Sequence, residues 1–219
     1  MKHKYSLTLG ALVAAIAAFA GAAAMQPQHD PKPSAPPPSK PSDQKPGAKP
    51  NHDMQDMDAM MKQAQPGPEH AMLAKYIGEW TTSSKFTGGG QPDQPPVSGT
   101  AKITSDIGGR FFNLEETGSM MGMPFQARHY TGYNNATKRY EAAWSYTHST
   151  AMMTMTGTST DGGKTINWTA AVDNAHGDKE VMKITTRYID DDHFTIELRG
   201  QSTEGAPESV MSTEYTRKK

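Results

Sequence analysis

The sequence predicts an all-β domain: a single antiparallel, up-and-down barrel of about ten strands with one short N-terminal helix. Three observations predict it. Between Pro66 and Lys219 lie about ten short β-rich runs, spaced by turn residues at the interval of sandwiches and barrels. Every consecutive pair of runs is joined by a short connection, which demands antiparallel neighbours. Only one segment of this stretch carries helical periodicity, and a meander this long hides its edges best by closing on itself.

The first element in chain order is a leader. Lys2 and Lys4 precede the apolar run Leu7 to Ala24, which contains Ala18-Phe19-Ala20 and ends in Ala22-Ala23-Ala24. A basic start, an apolar middle and small-residue cleavage sites make residues 1–24 a signal peptide. The run is long enough for an uncleaved anchor, but its alanines make it only weakly apolar. The product is expected to be exported, periplasmic or secreted, with no stable membrane span after cleavage. Residues 25–65 are rich in proline, from Pro27 through Pro36-Pro37-Pro38 to Pro50, and poor in apolar side chains. Such a stretch buries too little surface to offset its ordering entropy and reads as a disordered Pro-rich and Met-rich tether. A ligand for a domain that reads polyproline helices meets the same compositional test.

The barrel domain spans 66–219. Pro68 suits the first helical position and Glu69 the positive end of the helix dipole, while Met72, Leu73, Tyr76 and Ile77 repeat at helical spacing. Gly78 is expected to stop the helix, and Trp80 to start the first strand. The strands fall near 79–87, 98–107, 110–119, 125–133, 138–147, 151–159, 164–172, 180–190, 193–200 and 209–218. Gly108-Gly109, Asn134-Asn135, Asp161-Gly162-Gly163 and Asp190-Asp191-Asp192 are among the turns between them. Alternation places Trp80, Thr82, Ser84 and Phe86 on one face of the first strand. It does the same for Tyr140, Ala142, Trp144 and Tyr146, for Ile166, Trp168, Ala170 and Val172, for Phe194, Ile196 and Leu198, and for Met211, Tyr215 and Arg217. Many inward positions are small or polar, which favours a partly hydrated cavity over a close-packed core.

Composition closes several routes. With no cysteine, disulfides, thiolate metal sites, Cys nucleophiles and lipid attachment through a Cys are excluded. Without Lys2 and Lys4, the remaining basic residues against 23 acidic ones leave the mature chain near −3, dispersed along its length. No footprint for nucleic acid or anionic membrane results. Hydrolase, metalloprotease, phosphate-loop and dinucleotide motifs are missing from the sequence. Glu115 and Glu116 are adjacent on a strand, so they point to opposite faces and cannot form a catalytic carboxylate pair. No pair of histidines has helical or strand ligand spacing, so no imidazole metal site is assigned. An axial haem ligand would need an inward imidazole, for which His129 is the candidate.

The pattern of motifs is specific. Gly108-Gly109-Arg110-Phe111-Phe112, Gly118-Ser119-Met120-Met121-Gly122-Met123-Pro124-Phe125 and Gly132-Tyr133-Asn134-Asn135 resemble the bacterial DUF1579 family of unknown function. The opening Pro66 to Trp80, Ile189-Asp190-Asp191-Asp192-His193 and Tyr215-Thr216-Arg217-Lys218 look like the same family. The resemblance covers 66–219 and none of the tether. It implies a calycin-like barrel, the architecture of lipocalins and fatty-acid-binding proteins, in which a Gly-x-Trp on the first strand packs against an Arg of the last. Trp80 and Arg217 are the matching positions. Arg128, His129, Leu114 and Glu116 depart from the family's pattern and imply a more polar pocket if they face inward.

These readings lead to an uncharacterised exported protein, a lipocalin-like barrel that binds a small, mostly apolar ligand without catalysing a reaction. Phe112, Met123, Arg128, His129, Trp144, Tyr146 and Met153 are the expected ligand-binding residues, with Trp80 and Arg217 structural; no cofactor and no catalytic residue are assigned. The alternative is copper handling by the arm at 52–61. There Met54, Met57, Met60 and Met61 offer soft thioethers at helical spacing beside His52. A third, enzymatic reading would need Glu116, Arg128 or His129 aimed inward with a perturbed ionisation.

Overall fold

The computed structural model describes residues 52–88, 95–120, 122–173, 179–200 and 209–219. The expected signal peptide and the tether as far as residue 51 lie outside these residues. So do 89–94, 121, 174–178 and 201–208.

All ten expected runs form strands: β1 (Gly78–Gly88), β2 (Val97–Asp106), β3 (Phe111–Met120), β4 (Met123–Asn134), β5 (Arg139–Tyr146), β6 (Met153–Thr158), β7 (Thr165–Asp173), β8 (Lys179–Asp190), β9 (His193–Arg199) and β10 (Ser209–Arg217). Each pairs antiparallel with the next, and β1 pairs with β10, so the barrel is closed and no edge strand remains. Closure pins the register Trp80↔Arg217 through Gly88↔Ser209. A bulge in β8 between Tyr188 and Asp190 is the irregularity in the β8–β9 ladder.

Helix α1 (His52–Gln63) lies within the segment read as tether and falls outside the barrel unit. Helix α2 (Pro68–Ala74) belongs to the barrel unit. Pro68 occupies its first turn, and the Gly67 amide donates to His70 Nδ1 at 3.0 Å. The buried ring thus caps a helix end whose donors would otherwise be orphaned. Burial also holds the His70 imidazole below its ordinary pKa, in keeping with an accepting Nδ1.

The helix ends three residues earlier than expected, at Ala74 rather than Ile77. The amides of Lys75, Tyr76 and Ile77 bond to carbonyls three residues back, tightening the last turn. That twist separates Tyr76, buried, from Ile77, exposed, although helical spacing had put both on one apolar face. Gly78 therefore opens β1 rather than capping a helix. Its φ is +148°, and a Cβ there would stand 2.6 Å from Arg217 Nη1. A single 3₁₀ turn at Ile107–Gly109 links β2 to β3.

The inward faces follow the alternation. Trp80, Ile166, Trp168, Ala170, Tyr140, Ala142, Phe194, Leu198, Met211 and Tyr215 are all buried. Of the adjacent methionines, Met153 and Met155 are buried and Met152 is exposed, as a two-residue period requires. Among the described residues no helix is long and apolar enough to cross a membrane.

Candidate ligand-binding interior

One end of the barrel is a sealed floor. The Trp80 indole is fully buried, and the Arg217 guanidinium carbon lies 4.3 Å from its ring centroid. Arg217 donates through Nε to the Asp191 carbonyl (2.8 Å), through Nη1 to that of Ile77 (2.9 Å) and through Nη2 to that of Lys75 (2.8 Å). Asp192 adds an ion pair at 3.2 Å. The acidic turn Asp190-Asp191-Asp192 is therefore part of the clamp: Asp190 Oδ1 accepts from the Asp192 amide and meets His193 Nδ1, each at 2.8 Å. Above the clamp, Tyr76, Tyr188, Phe194 and Tyr215 stack with ring centroids 4.1–5.7 Å apart. Trp80 Nε1 donates to the Tyr76 carbonyl, and Tyr76 Oη to that of Asp190.

Two cavities of about 40 Å³ each lie above this aromatic plug. The floor cavity is walled by Leu73 and Tyr76 below and by Phe112, Thr131, Trp168, Thr186 and Tyr188 around it. The upper cavity is walled by Glu116, Phe125, Trp144, Met155, Met211, Thr213 and Tyr215. Leu114, His129 and Ile196 line both. A volume of this size holds about three waters each. The partly hydrated interior that the small and polar lining suggested is thus confined to two small hollows, because the Tyr76–Trp80–Tyr188–Phe194–Tyr215 cluster fills the floor half.

His129 stands at the junction of the two. Its Nε2 lies 3.4 Å from Thr131 Oγ1, its ring meets Trp168 edge-on at 6.0 Å, and Trp144 is its register partner on β5. The ring is half-buried and lines both hollows. Desolvation accordingly pulls its pKa from 6.5 down to about 4, and the ring is neutral at physiological pH. In the upper cavity Tyr215 Oη donates to Glu116 Oε2 at 2.9 Å. Burial raises the Glu116 carboxyl above its ordinary pKa, a shift that the hydrogen bond from Tyr215 opposes. Below, Trp168 Nε1 donates to Thr186 Oγ1 at 3.0 Å, satisfying a buried donor.

The expected ligand-binding residues divide. Phe112, His129 and Trp144 line the cavities. Met153 is buried but packs in the core beside Trp144. Tyr146 stacks on Trp144 at 4.8 Å, half-buried at the rim. Met123 has the inward parity of Phe125 and His129 but, as the first residue of β4, is 46% exposed. Arg128 is corrected outright. Being adjacent to His129 it must face outward, where its side chain is 71% exposed and pairs with Glu115 at 3.1 Å. Thr131, Thr186, Thr213, Met155 and Ile184 also line the hollows and were not singled out from sequence. Counting by twos from His129 or Tyr215 would have found Thr131 and Thr213. A haem does not fit these two hollows, so His129 carries no axial-ligand assignment.

A closed, floor-plugged antiparallel barrel with a small, sparsely polar interior defines the class of protein. Residues 65–217 match the family described as a protein of unknown function, DUF1579, and the chain belongs to that family. No curated protein matches it in sequence. Among solved structures it is similar to an S-type phycobiliprotein lyase, CPES, from Guillardia theta. That match has 9% identity and a TM-score of 0.50, covering 73% of this chain and 97% of that one. It is also similar to Rv2717c from M. tuberculosis, with 12% identity and a TM-score of 0.51, covering 71% and 100%. At such identities the likeness is one of fold alone.

Proposed function

We propose that this protein is an exported, non-enzymatic binding protein whose barrel takes a small, mostly apolar molecule. The observation that carries the reading is the pair of hollows meeting at His129 inside a closed barrel. Pockets that bind small molecules combine apolar walls with a few placed polar groups, and here those groups are His129, the Glu116–Tyr215 pair and three threonines. The hollows limit an occupant to a few heavy atoms, or to a larger one that displaces the unbranched Met155 and Met211. Trp168 walls one cavity and Trp144 the other, so indole fluorescence reports on both. Titration with xenon or benzene should perturb that fluorescence saturably, and native mass spectrometry of freshly purified protein should retain a bound small molecule. An interior that takes up neither probe and releases nothing on extraction would remove the basis for the reading. Export is tested separately by the intact mass of the chain recovered from its own cells, which should begin at Met25.

Copper handling by the arm is a second reading, favoured by one observation. Residues 52–63 form a helix, so Met54, Met57 and Met61 fall within roughly 60° of one another around its axis, on exposed positions. Replacing the four methionines of α1 by leucine keeps helix and volume while removing the thioethers. Cu(I) affinity should then vanish, and unchanged affinity would rule the arm out.

A further inference from the structure

The upper cavity has an imbalance of charge. Glu116 is its one acidic lining residue; no lysine or arginine lines either cavity, and His129 is neutral there. The carboxyl is anchored on one side only: Tyr215 donates to Oε2, and no described residue donates to Oε1. Glu116 is half-buried and its Oε1 is not sealed from solvent, so an entering group can reach it. Its register partners on the two flanking strands are Ala101 and Ala127, both small side chains. The rings of Phe125, Trp144 and Tyr215 line the same cavity, and aromatic rings attract cations.

We propose that the upper cavity holds the ammonium head of a small protonated alkylamine, with Glu116 as its counter-ion and the aromatic rings as its cage. The head donates to Glu116 Oε1, and the short stem lies against the apolar wall formed by Leu114, Ile184 and Leu198. An anion of the same size meets the carboxylate and is rejected, while a neutral alcohol leaves the charge uncompensated. The size of the hollow restricts the stem to a few carbons.

This assignment rests on the reading of the barrel as a small-ligand binder, and three small probes that differ in charge separate the two. The full chain is titrated with ethylammonium, propan-1-ol and propionate at constant ionic strength near neutral pH, following tryptophan fluorescence and melting temperature. Ethylammonium should bind at least about tenfold tighter than propan-1-ol, and propionate not at all. In Glu116→Gln, which keeps the shape and an acceptor for Tyr215, that preference should disappear while propan-1-ol binding persists. Equal binding of ethylammonium and propan-1-ol to the unaltered chain would overturn the amine assignment and leave the barrel reading standing. Ethylammonium binding undiminished in Glu116→Gln would do the same. Should none of the three probes nor xenon enter, both fall. The comparison on the unaltered chain decides the matter even if the variant does not fold.

Discussion

Arg217 closes the floor of the barrel from over the Trp80 ring, 4.3 Å from its centroid, while its three nitrogens each donate to a different backbone carbonyl. Two of those carbonyls, Lys75 and Ile77, belong to the tight exit from α2, where helix carbonyls lose their intrahelical partners. The third belongs to the β8–β9 turn. One side chain of β10 thus ties the helix exit, the first strand and the β8–β9 turn together. Lysine cannot reproduce a planar three-way fork. Arg217→Lys should lower unfolding free energy by about 2–3 kcal/mol, since hydrogen bonds to charged groups contribute the most. Urea denaturation checks this through a lower midpoint at unchanged slope. A neutral lysine variant would mean that the floor is held by the aromatic stack alone.

Gly157 lies on β6 with the parity of Met153 and Met155, so an added methyl group points inward. It would stand 2.7 Å from Trp168 Cε3 and 2.8 Å from Ile166 Cγ2. Both neighbours are buried and cannot yield. Gly157→Ala should therefore cost about 1–3 kcal/mol by overpacking, despite the alanine's ordinary strand preference. The same change at Gly122, where no atom lies within 4 Å, tests only backbone strain from its φ of +79°. A thermal melt of the two variants separates crowding from strain.

Much of the fold was legible because strand alternation and turn chemistry are local signals. Ten runs, their antiparallel order and the inward parity of Trp80, Trp144 and Trp168 all follow from a period of two and short connections. The exit of α2 was not legible, since Gly78 is required by the Arg217 guanidinium, whose position depends on a residue 139 places along the chain. Pairing Trp80 with Arg217 came from resemblance to a family; no local pattern in the sequence carries it. Within the site, parity alone separates His129 from Arg128, but parity does not give depth. Met123 and Phe125 share a face, yet one is exposed at the strand's start and the other is buried. Cavity size was the least legible quantity. It depends on how Tyr76, Tyr188, Phe194 and Tyr215 stack, and that is set by tertiary packing.

Glu116 should be a stability penalty at neutral pH. Its carboxyl pKa is raised in the folded state, first by desolvation, against a smaller lowering from the Tyr215 hydrogen bond. A group raised on folding favours the native state when protonated. Its contribution is therefore fully present below the unfolded carboxyl pKa and is lost as pH rises through the folded value. Glu116→Gln stays uncharged throughout and keeps an oxygen that accepts from Tyr215. The variant should be more stable than the parent at pH 7, by about 1.4 kcal/mol for each unit by which the pKa is raised. The advantage should shrink towards zero below the ordinary carboxyl pKa. Melting temperatures of both proteins across that range would expose a wrong sign directly.

His129 should act in the opposite sense. Its ring is held neutral at the junction of the two hollows, with a pKa pulled from 6.5 to about 4 by desolvation. Unfolding releases it to take up a proton, so stability is retained above pH 6.5 and lost as pH falls towards 4. The groups facing the ring are Trp168, Thr131 and Trp144, with Glu116 as the one acidic residue lining the upper cavity beside it. At the roughly 1.4 kcal/mol that each pKa unit carries, the loss through this ring approaches about 3 kcal/mol once the pH is below 4. His129→Phe keeps an aromatic ring of similar volume and has nothing to protonate. The difference in unfolding free energy between His129→Phe and its parent should be nearly flat from pH 8 to 7. It should then widen in the variant's favour between pH 6.5 and 4, because surface carboxylates titrate alike in both chains. A constant difference across that window would mean that the imidazole is reached by water and titrates as freely folded as unfolded.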